Sequence, residues 1–117
     1  MGTSLVGNRF EVKGTTSESL VSTELFSLIS QQTHGTAYSF NLLKLRKDGV
    51  VKEQSHPEEH SIYVVSGKGK LLIDQTWYDL RDGSYAHVPP NKKHCFRNAE
   101  EKPLEIIILK IKALEGK

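Results

Sequence analysis

The feature that most constrains this chain is its punctuation. From residue 37 to residue 111 the apolar stretches are short and most are separated by turn signals. The signals are Lys47-Asp48-Gly49, Ser66-Gly67-Lys68-Gly69, Asp74-Gln75, Arg81-Asp82-Gly83 and Pro89-Pro90. Glycine frees the backbone for tight turns, and proline removes a ladder donor and ends a strand. Such spacing suits strands of about five or six residues and leaves little length for amphipathic helices. The segments between the signals are rich in β-branched and aromatic residues, as in Ile62-Tyr63-Val64-Val65, Leu71-Leu72-Ile73 and Ile106-Ile107-Ile108-Leu109. Many short strands divided by turns predict an all-β barrel or sandwich.

The expected strands cover residues 37–46, 50–56, 61–65, 71–73, 77–78, 85–88, 94–97 and 103–111, with a chain reversal at residues 47–49. Residues 10–12 read as a further short strand, residues 1–7 as an irregular start, and residues 15–19 and 31–35 as turns. His34 falls in the second of these turns and reads as an exposed loop residue. Residues 20–29 are ambiguous. Leu20, Val21, Leu25, Leu28 and Ile29 fit one helical face, while their β-branched content and short length also fit a strand.

The length of 117 residues suits one domain, residues 1–117. The formal net charge is +2, from 16 basic and 14 acidic residues spread along the chain, which is not a nucleic-acid footprint. The local basic clusters, Lys92-Lys93 and Lys110-Ile111-Lys112, read as solvated. Cys95 is the only cysteine, so an intrachain disulfide and a cysteine-based zinc finger are excluded. No apolar run approaches the roughly 20 residues that span a bilayer. A basic-then-apolar leader is not seen, so a cytoplasmic protein is expected.

One stretch is chemically dense. Gln54-Ser55-His56-Pro57-Glu58-Glu59-His60 places three potential metal ligands just before a strand, and His94 follows Pro89-Pro90-Asn91-Lys92-Lys93. On a strand, residues two apart face the same way, so Gln54 and His56 share a side. A turn at 57–59 lets His60 open the next strand facing back toward them. Imidazole nitrogens bind zinc at about 2.0–2.1 Å, so converging side chains could close on one ion. The rival HExxH zinc helix fails, because Pro57 stands where its glutamate belongs and a strand and hairpin follow. Isolated histidines are more often surface or core residues than ligands, and their spacing alone leaves the two readings balanced.

Residues 48–98 resemble the cupin superfamily of small double-stranded β-barrels. The first cupin motif, G-x5-H-x-H-x3,4-E-x6-G, is matched in spacing by Asp48, Gln54, His56, His60 and Gly67. The second, G-x5-P-x-G-x2-H-x3-N, is matched by Gly83, Pro89, Asn91, His94 and Asn98. The 15 residues between Gly67 and Gly83 equal the short linker of microbial single-domain cupins. The departures are Asp48 for the first glycine, with Gly49 beside it, Asn91 for a turn glycine, Gln54 for the first histidine and His60 for the glutamate. Asparagine tolerates a left-handed backbone. An amide is a weaker donor than an imidazole, which makes Gln54 the weakest expected ligand.

The resemblance implies a double-stranded β-helix, or jelly-roll barrel, with residues 20–29 as an early strand. It implies one divalent transition metal per chain on Gln54, His56, His60 and His94. An imidazole-rich site suits Zn, Fe, Ni or Cu, and Mn is frequent in the family. Tyr38, Phe40, Ile62, His87 and Phe96 are candidate pocket residues, and Cys95 is expected to face away from His94. The family is commonly homodimeric. With no carboxylate ligand the metal would keep its double charge and favour a small chelating anion. Three functions fit: a dioxygenase-like enzyme on an enolisable substrate, a non-redox isomerase, lyase or cyclase on a carbonyl or sugar acid, and a non-catalytic small-ligand module.

Overall fold

The computed structural model describes residues 4–112, so the expectation for residues 1–3 lies outside the described residues. Eight strands form one curled, wholly antiparallel sheet. They are β1 (Leu20–Ile29), β2 (Tyr38–Gln54), β3 (Glu58–Ser66), β4 (Gly69–Ile73), β5 (Thr76–Leu80), β6 (Tyr85–Val88), β7 (His94–Asn98) and β8 (Leu104–Lys112). Their order is β5-β4-β7-β2-β8-β3-β6, and β1 pairs with β2 outside that path. This is the all-β architecture expected from the punctuation and the jelly-roll barrel that the cupin resemblance implied, and residues 20–29 are the strand that the same resemblance implied.

The reversal expected at residues 47–49 is instead a bend inside one long strand. β2 pairs with β8 from Tyr38 to Leu45 and with β7 from Gly49 to Gln54, so it passes from one half of the barrel to the other. Two residues in the left-handed region make the corner: Asp48 at φ 61° and, on the neighbouring β1, Ser22 at φ 47°. The β1–β2 register slips between Val21 and Thr23, the mark of a bulge. Asp48 thus adopts the backbone that a glycine would supply. Gly49 is required for a different reason, because a Cβ there would meet Arg46 O at 2.8 Å and Ser22 O at 3.0 Å.

Asn98 locks the corner. Its side chain is buried, and Nδ2 donates to the carbonyls of Leu45 (2.9 Å), Arg46 (3.2 Å) and Lys102 (3.1 Å). Its Oδ1 accepts from Glu100 N at 2.9 Å. Carbonyls turned out of the ladder at a bend need such a partner when buried.

Residues 10–12 form no strand. Asn8 accepts from Phe10 N at 2.9 Å and caps a 3-10 turn over Arg9–Glu11. Arg9 stacks on Phe10 and Phe26 and pairs with Glu105 at 3.2 Å, which holds this segment against the outside of β1 and β8. Residues 31–35 close as a single helical turn, Gln31–His34, between a Ser30–Thr33 capping box and Gly35 at φ 69°.

The period-2 pattern sets the core. Leu43 and Leu45 on β2, Ile62 and Val64 on β3, Phe96 on β7, and Leu104, Ile106 and Ile108 on β8 point inward and are buried together. At one end of the barrel each of these strands turns polar on its inner face: Asn41 on β2, His60 on β3, His94 on β7 and Lys110 on β8. Cross-strand pairing puts His60 opposite Lys110 and His94 opposite Gln54, while Asn41 lies opposite Ile108, at the level of Ile62. The barrel therefore has an apolar floor and a polar mouth.

Candidate metal centre

His56, His60 and His94 meet at this mouth. His60 comes from β3 and His94 from the first position of β7, while His56 lies in the link between β2 and β3. The link is tied down by the turn before β7. Asn91 N donates to His56 O at 2.6 Å, and Ser55 Oγ donates to Asn91 O at 3.1 Å. Asn91 sits at φ 65°, the left-handed backbone its place in the turn requires. The two histidine-bearing segments, distant in sequence, are thus stitched together by their own loops.

The ring centroids are 5.4 Å apart for His56–His60 and His56–His94, and 4.8 Å for His60–His94. One nitrogen of each ring lies within 4.8 Å of the others. Ligand nitrogens around tetrahedral zinc stand roughly 3.3 Å apart, given Zn–N bonds of about 2.0–2.1 Å. Small side-chain rotations therefore suffice, and the three histidines lie close enough to hold a metal ion.

The protonation states suit that task. His94 Nδ1 lies 2.9 Å from Lys92 O. A carbonyl only accepts, so Nδ1 carries a hydrogen, which leaves Nε2 as the nitrogen that could take a metal. His60 is buried, and its pKa falls from 6.5 to about 3, first through desolvation and then through repulsion by His94, Lys110 and His56. His56 is lowered by the same main cause, with Lys110 next. Neutral imidazoles are the form that binds metal. Among the described residues His60 Nδ1 is also a buried nitrogen without a hydrogen-bond partner, which is costly unless something compensates it. The donor set of three imidazoles fits a divalent transition metal.

Gln54 ends β2 on the same side as His56, as strand alternation requires. Its Oε1 lies 2.6 Å from His56 Nε2. In this arrangement Gln54 is a partner of His56, and it lines the cavity beside the three rings.

The cavity has a volume of about 170 Å³. Phe96 lines it, together with Leu43, Val51 and Ile108 from the floor. The other expected pocket residues do not. Tyr38 and Phe40 have the opposite parity to Asn41 and Leu43 on β2, so they face outward, and Phe40 borders a separate depression under the N-terminal segment. Ile62 has the right parity but lies one step below His60, buried in the core. His87 is exposed, because its neighbour Val88 takes the inward position, and it borders a separate cleft beside β6. Cys95 is buried and, by alternation, faces away from His94. Burial pushes its thiol pKa up.

Sequence reading missed Lys110, Asn41, Ser17 and Ser19, which all line the cavity. Lys110 is not the solvated residue that its neighbour Lys112 suggested. Counting in twos from Leu104 through Ile106 and Ile108 places it indoors, and that count was available in the sequence.

The family model described as "Cupin domain" matches residues 41–110. No curated protein sequence matches the chain. Solved structures of the same fold include a predicted oxalate decarboxylase from Thermotoga maritima. It is 18% identical with a TM-score of 0.82, over 93% of this chain and 100% of that one. A polyketide cyclase from Streptomyces resistomycificus is 17% identical with a TM-score of 0.81, over 92% of this chain and 79% of that one. A cupin-2 domain from Rhodospirillum rubrum is 15% identical with a TM-score of 0.76, over 98% and 78%.

Proposed function

The chain belongs to the cupin family, and from that premise we propose that it is a metal-dependent enzyme acting on a small chelating anion. One divalent transition metal would be held by His56, His60 and His94, with Gln54 as a weaker fourth donor. The observation that carries this reading is the convergence of three imidazoles, with no carboxylate among them, at the polar mouth of a small cavity. When bound, the metal supplies Lewis-acid polarisation and, if it is redox-active, a site for dioxygen. His94 is fixed in one tautomer by Lys92 O, and the Phe96, Val51 and Ile108 walls keep bulk water from one side of the ligand.

The first reading is dioxygenase-like turnover of an enolisable anion such as a 2-oxo acid. A non-redox isomerase, lyase or cyclase reaction has one observation in its favour. At about 170 Å³ the cavity equals roughly six water volumes, which is tight for a chelating substrate and dioxygen together. Oxygen uptake separates the two. Iron- or manganese-loaded protein that consumes the substrate with stoichiometric oxygen loss supports the first, and turnover without oxygen loss supports the second. Binding without turnover under either metal would make the protein a ligand-binding module.

The working unit is proposed to be a homodimer. Support comes from the outer face of the sheet, where Tyr63 lies opposite both Ile107 and Tyr85. Tyr63, Val65 and Tyr85 are exposed there, and contiguous exposed apolar surface marks an interaction site.

A further inference from the structure

A lysine on the inner wall of a proposed cation site needs a reason. Lys110 stands directly across the ladder from His60, and its charge is felt by both His60 and His56. A divalent metal added to those imidazoles would meet a like charge within one small cavity, and partial burial weakens the screening. Among the described residues Lys110 makes no salt bridge and no carboxylate lines the cavity, and the one carboxylate felt at His56, Glu58, counts for less there than Lys110 does. A second polar group on the same wall is also unmatched. Asn41, opposite Ile108 on the neighbouring strand and so the next inward-facing position from Lys110, has a buried Oδ1 without a partner among the described residues. An unpaired buried acceptor is uncommon and points to a donor that arrives from elsewhere.

We propose that Lys110 and Asn41 form the substrate-recognition wall of the cavity, selecting a short hydroxy- or enol-carboxylate. The Lys110 ammonium binds the carboxylate, and Asn41 Oδ1 accepts the hydroxyl hydrogen. This rests on the metal reading above and adds to it a specificity that the metal alone does not supply. Size narrows the class further. A volume of about 170 Å³ is below the roughly 300–1,000 Å³ of sites for drug-sized ligands, so acids of about two to four carbons fit. Ammonium–carboxylate pairing in a partly dry site is charge-assisted and penalises a neutral isostere, because that ligand leaves the ammonium unmatched.

The test is calorimetric titration of lactate, lactamide and propionate into zinc-loaded wild type, Lys110→Met, Lys110→Arg and Asn41→Leu proteins, with zinc affinity measured for each. Wild type is expected to prefer lactate over lactamide at least tenfold. Lys110→Met should abolish that preference and bind zinc more tightly, because a repulsive charge is gone, whereas Lys110→Arg should keep the preference within a few-fold. Asn41→Leu should erase the advantage of lactate over propionate. If Lys110→Met retains zinc and still prefers lactate as wild type does, the lysine is not the recognition group and the proposal is overturned, while the metal reading stands. If wild type binds no zinc yet shows a Lys110-dependent preference for lactate, the metal reading falls and the recognition wall survives.

Discussion

At the scale of single residues, the site works by keeping His56 and His60 neutral and His94 pointed. Desolvation holds His60 near 3 and lowers His56. The unfolded chain therefore takes up protons first as pH falls below 6.5. Chelator-treated protein is expected to be fully stabilised above that value and to lose on the order of 2–4 kcal/mol between pH 6.5 and pH 3 from His60. Urea unfolding at stepped pH reads this directly. A His60→Leu variant should show a correspondingly flatter slope, and an unchanged slope would remove His60 from the account. Gln54 makes the second residue-scale case. Its Oε1 holds His56 Nε2 at 2.6 Å, and an amide oxygen is a poorer ligand than imidazole for borderline metals. Gln54→Ala should weaken zinc binding less than His56→Ala, and Gln54→His should strengthen it. Chelator competition gives the order, and equal losses in the two alanine variants would contradict it.

At the scale of elements, the bent β2 strand is what brings the mouth together, because it carries Asn41 on one half of the barrel and Gln54 on the other. Asn98 holds its corner through three carbonyls and one N–H. Asn98→Ala leaves those groups buried and unpaired, and is expected to cost about 2–4 kcal/mol in denaturant unfolding. A loss below about 0.5 kcal/mol would mean that the corner is held by β1 instead. This corner also marks the limit of what sequence revealed. Lys47-Asp48-Gly49 announced a change of direction, but a turn signal does not distinguish a reversal from a bulged bend. The difference lies in Ser22, which sits 26 positions earlier than Asp48. Strand positions and motif spacing were legible, since punctuation and 2-residue alternation act over short range. Tyr38, Phe40 and His87 were misplaced because parity depends on register, and register is set by partners far along the chain. Lys110 read as solvated together with Lys112, whereas alternation from Leu104 through Ile106 and Ile108 turns it into the cavity.

At the scale of the whole molecule, the inner and outer faces of the sheet carry separate tasks. The inner face runs from apolar floor to polar mouth. The outer face of β3, β6 and β8 leaves Tyr63 at 52% and Tyr85 at 85% exposure, more aromatic surface than a lone barrel needs. No helix among the described residues is long and apolar enough to cross a membrane. A second copy is the proposed cover for this face, so light scattering is expected to give twice the 13.2 kDa chain mass at micromolar concentration. Tyr63→Asp with Tyr85→Asp should return it to the single-chain mass. A single-chain mass for wild type across a wide concentration range would end the dimer reading. Everything said of chemistry depends on His56 and His60 from one segment and His94 from a distant one acting as one ligand set. Elemental analysis of purified wild type and His94→Ala protein, each dialysed against a divalent-metal mixture and then metal-free buffer, tests that dependence most directly. About one transition-metal ion per wild-type chain, falling below about one tenth in the variant, is the expected result. Equal metal content in the two proteins, or none above background in wild type, would contradict it.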